Sequence, residues 1–211
     1  MDRLYLVVPC YNEEEVLPET VRRLTDKLRR MEEKGLVSGD SRILLVDDGS
    51  RDRTWELICG FHQENPTVSG LKLSRNRGHQ NALVAGLMTA RELCDITISL
   101  DADLQDDIEV LDQFVEEYHK GAQIVYGVRS ARDTDTAFKR STAMGFYGLM
   151  KKMGVDIVSN HADYRLMSKK ALDCFSGYHE VNLFLRGIVP LIGFPTAVVT
   201  YERSERFAGE S

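Results

Sequence analysis

The chain has 211 residues, of which 43% are hydrophobic and 28% are charged, and its formal net charge is −6. This is the composition of a globular protein, and the length is sufficient for one domain with a substantial core. The acidic balance argues against a general nucleic-acid-binding protein, and the sequence has no run of 18 apolar residues that would span a membrane.

The first 130 residues alternate short apolar runs with helical patterns. The apolar runs predict strands at 4–8, 43–46, 71–73, 96–100 and 124–128. The first helix is predicted to begin after Asn12 as N-cap, with glutamates in its first turn, and to end at Lys34-Gly35. Further helices are predicted at 52–63, 81–93 and 108–119. Because the strands are apolar on both faces, this alternation predicts an α/β fold with a mostly parallel sheet covered by helices.

The second half of the chain has a less regular pattern. Helices are predicted at 136–153, at 169–175 with Ser168 as N-cap, and at 182–192. Strands are predicted at 164–167 and 197–201.

Polar clusters follow three of the predicted strands. The first strand is followed by Pro9-Cys10-Tyr11-Asn12-Glu13, the second by Asp47-Asp48-Gly49-Ser50, and the fourth by Asp101-Ala102-Asp103. Ligands of open α/β sheets bind beyond the carboxyl ends of the strands. Three such clusters at one edge therefore predict a binding site there.

The pair Asp101 and Asp103 has the spacing that, in an extended chain, directs both carboxylates to the same side. Two carboxylates held this close repel each other unless a cation lies between them or one is protonated. Mg²⁺ or Mn²⁺ fits, because it is held by one or two carboxylates and leaves positions for substrate phosphates. The alternative is an exposed acidic turn that caps the next helix, with Asp106 or Asp107 as N-cap.

A second acidic pair, Asp47 and Asp48, ends the second strand. These carboxylates could accept hydrogen bonds from ribose hydroxyls or a base N–H, and Gly49 permits a tight turn. The alternative is a strand-ending turn in which Ser50 or Asp52 caps the following helix. The sequence contains neither GxGxxG nor GxxxxGK[ST], which argues against a dinucleotide-binding fold and a P-loop.

Four segments together, VVPCYNEEE, LLVDDGSRDRT, LKLSRNRGHQNAL and SLDADLQDD, resemble the GT-A glycosyltransferases of family 2. The similarity is closer to the polyprenyl-phosphate hexosyltransferases, such as dolichyl-phosphate mannose synthases and bacterial undecaprenyl-phosphate glucosyltransferases. It extends along nearly the whole chain, and DADLQDD is quite specific. The resemblance implies one GT-A catalytic domain over residues 1–211. It also implies inverting, metal-dependent transfer of a hexose from UDP-glucose or GDP-mannose to a polyprenyl phosphate.

The tail ERFAGES resembles the segment that precedes the transmembrane helices of these enzymes. The resemblance therefore implies a C-terminal membrane anchor that is missing from this chain. On this basis we expect a soluble fragment of a protein that works at the cytoplasmic face of a membrane.

The resemblance also implies roles for the positions that match. The residues that would hold the nucleotide are Pro9, Tyr11, Glu13, Asp47 and Asp48. Those that would hold the metal with the donor diphosphate are Asp101, Asp103 and Gln105. The arginines that would meet the acceptor phosphate or the diphosphate are Arg129, Arg140 and Arg206, with surface charge as the alternative.

Asp163, in ADYRLMS, resembles the carboxylate that is often proposed as the base. Its alternative is a structural ion pair with a nearby arginine. A phosphate monoester has a second pKa near ~6 and is mostly deprotonated at neutral pH, so we rank the metal and the arginines above Asp163. We interpret His79 as a capping or packing residue.

Three other functions remain open. A related transferase could act on a hydroxyl of a glycan or other soluble acceptor, and it would need a general base. A nucleotidyltransferase also uses carboxylates and Mg²⁺, but it usually has a basic, glycine-rich loop where this chain has PCYNEEE. The third is an inactive regulatory domain that binds sugar nucleotides, which turnover of a nucleotide sugar with metal would exclude.

Overall fold

The computed structural model describes residues 1–130, 161–178 and 185–203. In chain order its strands are β1 (Leu4–Cys10), β2 (Arg42–Asp47), β3 (Val68–Lys72), β4 (Ile96–Ser99), β5 (Ile124–Arg129), β6 (His161–Ser168) and β7 (Thr196–Tyr201). Its helices are α1 (Leu17–Glu33), α2 (Thr54–Glu64), α3 (His79–Arg91), α4 (Leu111–His119), α5 (Lys169–Phe175) and α6 (Leu185–Leu191). A short 3₁₀ helix, Ile108–Val110, precedes α4.

The strands form one sheet in the order β3-β2-β1-β4-β6-β5-β7. The β6 strand runs antiparallel to both of its neighbours, and the other paired strands are parallel. The sheet is therefore mostly parallel, as the alternation of strands and helices predicted. Its antiparallel strand lies between β4 and β5, in the half of the chain where the sequence pattern is less regular.

Helices cover both faces of the sheet. One face of β1, with Leu4 and Leu6, packs in a cluster with apolar residues of α1, α2 and α4. The other face, with Tyr5 and Val7, packs in a cluster with α3, α5 and α6. Successive side chains of a strand point to opposite faces, so the continuous apolar run of β1 contributes to both layers of the core.

The strands predicted from sequence are all present, and each observed end lies within three residues of the predicted one. The first helix begins later than predicted, at Leu17, and its N-cap is Val16, not Asn12. Asn12 has a left-handed backbone (φ +54°), and its side-chain oxygen accepts a hydrogen bond from the Arg51 N–H. Residues 11–16 thus form a loop joined to the loop after β2. The prediction of Ser168 as the N-cap of α5 is confirmed, since its hydroxyl accepts from the Ala171 N–H.

Two further helix predictions need comment. The segment 108–119 is divided between the 3₁₀ helix and α4. The helix predicted at 136–153 lies outside the described residues, as does the beginning of the one predicted at 182–192, of which α6 is described.

The carboxyl ends of β1, β2 and β4 meet at one edge of the sheet. Cys10 at the end of β1 pairs with Asp47, whereas β4 ends where Ser99 pairs with Val7. The Val7 carbonyl oxygen accepts a hydrogen bond from the Leu100 N–H, on the β4 side, and the Cys10 carbonyl oxygen accepts one from the Asp48 N–H, on the β2 side. Because successive residues of a strand bond to neighbours on alternate sides, Pro9 faces the β4 side, beyond the end of β4. Proline has no N–H to donate, and at this position the sheet loses no hydrogen bond. The chain after β4 is free to turn across this edge.

Gly86 brings α3 close to the sheet above this edge. A Cβ added at Gly86 would lie 2.5 Å from Val7 Cγ1 and 2.7 Å from Val46 Cγ2. No side chain larger than hydrogen fits there without displacement. The close approach places the first turn of α3, which begins at His79, beside the ends of β1 and β4.

Candidate active site

A cleft of about 320 Å³ opens at the carboxyl edge of the sheet. It brings together six residues predicted from the sequence, namely Pro9, Glu13, Asp101, Asp103, Arg129 and Asp163. His79 and Arg186 also line it. A smaller pocket of about 190 Å³ lies beside the cleft and shares Pro9, Glu13 and His79 with it. The two spaces therefore form adjoining parts of one groove.

The smaller pocket contains the predicted nucleotide residues Tyr11 and Asp48. Asp48 is only 2% exposed, and its two oxygens accept hydrogen bonds from the backbone N–H groups of Arg77 at 2.7 Å and Gly78 at 2.8 Å. Asp48 thus fixes the loop that leads into α3. Direct contact of its carboxylate with a nucleotide stays a prediction.

Asp47 is fully buried at the end of β2, and its Oδ1 accepts from the Ser50 N–H at 3.1 Å. Gly49, the next residue but one, has φ +69°, and an added Cβ would lie 2.5 Å from the carbonyl carbon of Arg75. Both features hold the strand-ending turn against the neighbouring loop. The turn is therefore part of the pocket's frame, and contact of Asp47 with ligand stays a prediction.

The acidic edge of the cleft consists of Asp101 and Asp103, in the turn after β4. Burial raises the pKa of Asp101 above its usual value, and nearby carboxylates raise it further, while His79 opposes them. Such crowding is what a bound cation relieves. Within the described ranges, no three histidine, cysteine, aspartate or glutamate side chains could hold a metal by themselves. The two carboxylates fit an ion that completes its coordination with substrate phosphates and water.

Gln105, the third predicted metal ligand, has another partner here. Its side-chain oxygen accepts a hydrogen bond from Arg203, which follows β7. Gln105 would have to leave this partner, or share the oxygen, in order to bind a metal.

Of the two aspartates considered as caps, Asp107 is the N-cap, since its carboxylate accepts from the Glu109 N–H at 2.9 Å. Asp106 is not a cap, and it is only 4% exposed. Its Oδ1 accepts from the Tyr201 hydroxyl at 2.6 Å and from Arg129 Nη2 at 3.4 Å. The Arg129 Nε in turn donates to the Tyr201 hydroxyl at 3.2 Å. Asp106 and Tyr201 together hold Arg129 at the wall of the cleft.

Asp163 lies in β6, buried at the wall of the cleft next to cationic groups. Its carboxylate is 3.5 Å from Arg186 Nε, 3.6 Å from His79 Nε2 and 3.8 Å from Arg165 Nη2. It also accepts from Gln80 Nε2 at 2.8 Å. Burial alone would raise the pKa of Asp163, but these groups hold it well below its usual range. The structural ion pair considered for Asp163 is therefore present, and a carboxylate with so low a pKa is a weak base.

Two residues of the cleft were not predicted to take part in it. His79 was interpreted as a capping or packing residue, but its ring lies between Asp101 and Asp163. The Asp163 carboxylate raises the pKa of His79, although burial of the ring opposes this. Its position after β3, at the start of a helix, could have indicated from sequence that His79 lies at the ligand-binding edge. Arg186 lies in a strongly apolar segment without a motif, and no sequence signal marked it.

Two predicted arginines, Arg140 and Arg206, lie outside the described residues. In the ranges that the structure does describe, none of the helices is both long and apolar enough to cross a bilayer.

Comparison with known proteins gives consistent results. The Glycosyl transferase family 2 model matches residues 5–175. The chain is 56% identical over 208 residues to the glycosyltransferase YkoT of Bacillus subtilis (strain 168), covering 99% of this chain and 62% of that protein. It is 39% identical over 213 residues to the prophage bactoprenol glucosyl transferase homolog of Escherichia coli (strain K12), covering 99% of this chain and 66% of that protein. The chain thus spans slightly less than two thirds of these relatives.

Among solved structures, the mannosyltransferase PcManGT from Pyrobaculum calidifontis, in complex with GDP-Man and Mn2+, superposes with a TM-score of 0.65 at 17% identity. The match covers 98% of this chain and 58% of that one. Glucosyl-3-phosphoglycerate synthase from Mycobacterium tuberculosis superposes with a TM-score of 0.58 at 16% identity, covering 99% and 72%. At these identities the likeness is one of fold, and it confirms the predicted GT-A architecture.

Proposed function

The chain belongs to glycosyl transferase family 2, and we propose that it transfers a hexose from UDP-glucose or GDP-mannose to a polyprenyl phosphate. One observation carries this proposal: the same cleft is lined by two carboxylates, Asp101 and Asp103, and by two basic side chains, Arg129 and Arg186. This arrangement suits a metal-bound diphosphate beside an acceptor that is itself an anion. The 39% identity to proteins named bactoprenol glucosyl transferase supports a polyprenyl acceptor and favours glucose.

The donor would occupy both parts of the groove. Its nucleoside would enter the pocket lined by Tyr11 and by the loop that Asp48 holds. Its diphosphate would then lie near Asp101 and Asp103, which would hold Mg²⁺ or Mn²⁺. A divalent ion held there would neutralise charge on the departing diphosphate.

The acceptor phosphate would meet Arg129, which is already held in place by Asp106 and Tyr201. The guanidinium fork can donate two hydrogen bonds to one phosphate and so orient an oxygen towards the sugar. That oxygen would form a bond to the anomeric carbon as the bond to the diphosphate oxygen breaks, and the electron pair leaves with the nucleoside diphosphate. Displacement in line inverts the centre, giving a β-linked product from an α-linked donor.

This reaction does not require a strong base. A phosphate monoester with a second pKa near ~6 is mostly ionised at neutral pH. A hydroxyl acceptor would instead need a base, and Asp163 suits that role poorly because cationic groups hold its pKa low. The low basicity of Asp163 therefore favours the phosphate acceptor over a glycan hydroxyl.

We also propose that residues 1–211 form a single catalytic domain that acts at a membrane surface, because its acceptor would be a membrane lipid. The proposal includes the cytoplasmic face of the membrane and a C-terminal membrane anchor. It does so because the tail ERFAGES resembles the segment that precedes the transmembrane helices of polyprenyl-phosphate hexosyltransferases.

An acceptor panel tests the proposal. The chain is incubated with Mn²⁺ and either UDP-glucose or GDP-mannose, together with a short, soluble prenyl phosphate or one of several free saccharides. The matched control acceptor is the prenyl alcohol of the same length, which lacks only the phosphate. We expect transfer to the prenyl phosphate and none to the alcohol. Transfer to a saccharide hydroxyl, with none to the phosphate, would replace this proposal with the soluble-acceptor alternative.

A further inference from the structure

We infer that Arg186 is a further substrate-binding residue whose terminal amino groups hold a phosphoryl oxygen in the cleft, and that Asp163 is the residue that positions it. The inference rests on the proposed function, since it takes the substrates to carry phosphate. It assigns Asp163 to the orientation of a neighbouring cation instead of to proton removal.

The contact between the two side chains leaves the end of the Arg186 fork available. Arg186 lies in α6, its side chain is 45% exposed, and it lines the cleft with Asp101 and Asp103. Its Nε faces Asp163 Oδ1 at 3.5 Å. Among the described residues, Asp163 is the one partner found for Arg186. An arginine held through Nε keeps its two terminal amino groups for a second anion.

Asp163 is itself held firmly enough to act as an anchor. Its Oδ2 accepts from Gln80 at 2.8 Å, and the guanidinium of Arg165 lies behind it at 3.8 Å. Arg165 is fully buried, and in the described part of the chain its Nε and Nη2 have no hydrogen-bond partner. Its guanidinium lies over the ring of Tyr126 and has Asp163 as its ion-pair partner among the described residues, so this buried cation keeps the Asp163 carboxylate ionised and in place.

The balance of charge at this wall favours a further anion. Among the described residues, Asp163 is the one carboxylate within 4.0 Å of Arg165 and Arg186, so two guanidinium charges share a single carboxylate. A planar guanidinium fork matches phosphate geometry better than a lysine ammonium does. The cleft would receive two phosphate groups, the donor diphosphate and the acceptor phosphate. Both groups carry phosphoryl oxygens of the kind that Arg186 would bind, and binding and kinetic measurements distinguish the two.

The test compares Arg186→Ala with the control Arg22→Ala. Arg22 is an exposed arginine of α1, paired with Glu19 at 2.6 Å, and it does not line the cleft. Binding of UDP with Mn²⁺ is measured by calorimetry, and KM and kcat are measured for the short prenyl phosphate. We expect Arg186→Ala to lower kcat/KM about 10- to 100-fold, and Arg22→Ala to stay within about twofold of the parent.

The affected parameter identifies the phosphate. A higher KM for prenyl phosphate with unchanged UDP affinity assigns Arg186 to the acceptor, whereas weaker UDP binding assigns it to the donor. If Arg186→Ala matches the parent in both measurements, the inference is wrong. If the parent transfers to no phosphate at all, the proposed function fails, and the UDP-binding arm still tests the donor contact of Arg186.

A double-mutant cycle tests the role of Asp163. If Asp163 acts by positioning Arg186, Asp163→Asn should change the same parameter, and the double variant should be no worse than Arg186→Ala. If the two losses multiply in the double variant, and the Asp163→Asn variant loses only kcat, Asp163 acts instead as a base. Asp163 is buried against Arg165, and if Asp163→Asn does not fold, Arg186→Lys tests the same contact, because lysine keeps the charge but lacks the Nε–H that faces Asp163. A loss close to that of Arg186→Ala supports positioning through Asp163, and activity close to that of the parent contradicts it.

Discussion

Replacement of Asp48 by Asn should weaken both the fold and nucleotide binding, because Asp48 holds the loop that leads into α3. Its carboxylate accepts two backbone hydrogen bonds, from Arg77 at 2.7 Å and Gly78 at 2.8 Å. An asparagine offers one oxygen, so one N–H would face an amide NH₂. Loss of one hydrogen bond to a charged group lowers the free energy of unfolding by about 1.5–3 kcal/mol. For a chain of this size, Tm should fall by roughly 3–12 °C.

The loss should extend to nucleotide affinity. Asn76 and Gly78 of the same loop line the smaller pocket, so a looser loop should weaken UDP binding by about tenfold. Urea unfolding measures the first effect and calorimetry with UDP and Mn²⁺ the second. Asp107→Asn is the matched control, because Asp107 accepts one backbone N–H at an N-cap, where asparagine serves as well as aspartate.

Two results would refute this reasoning. An unchanged urea midpoint would show that the two hydrogen bonds do not stabilise the loop. Weaker UDP binding at full stability would show that Asp48 contacts the nucleotide directly.

Three further predictions concern the metal site, the packing of α3 and the response to pH. Asp103→Ala should slow transfer roughly 100- to 1000-fold, if the interaction it removes supplies about 3–4 kcal/mol in the transition state, and should leave the circular dichroism spectrum unchanged. Near-normal turnover would show that Asp103 does not hold the metal. Gly86→Ala should lower the free energy of unfolding by about 1–3 kcal/mol, because its Cβ would lie 2.5 Å from a valine methyl of β1, and an unchanged urea midpoint would contradict this. Burial acts to raise the pKa of Asp112, but Lys34 and Lys27 lower it below its usual value. Its contribution to stability is thus complete above the unfolded pKa near ~3.9 and is lost as pH falls through the lower folded value. Urea midpoints measured from pH 7 to pH 3 should fall with acidification, and Lys27→Met should flatten that fall, whereas an identical profile would argue against the ion pair.

The sequence was sufficient to predict the strands and the edge at which they would meet. Continuous apolar runs separated by helices dictate a buried, mostly parallel sheet, and the carboxyl ends of such strands converge. Asp101, Asp103 and Arg129 could therefore be assigned to one site, and the structure places all three in the cleft.

The contacts of Asp163 with His79 and Arg186 could not be predicted, because they depend on strand order and on the approach of distant residues. His79 meets Asp163 only because β6 is inserted, antiparallel, between β4 and β5. Nothing in the local pattern of β6 determines that position. Asp106 likewise resembles a helix cap in sequence, and only the approach of Tyr201 from β7 makes it a buried support for Arg129.

The covalent structure of the product tests the proposed reaction most directly. The chain is incubated with UDP-glucose, Mn²⁺ and short prenyl phosphate, and the purified product is examined by mass spectrometry and by proton and phosphorus NMR. We predict a hexose joined to the phosphate oxygen in the β configuration. A sugar joined through a hydroxyl, or an α-linked glycosyl phosphate, would contradict an in-line displacement by the lipid phosphate.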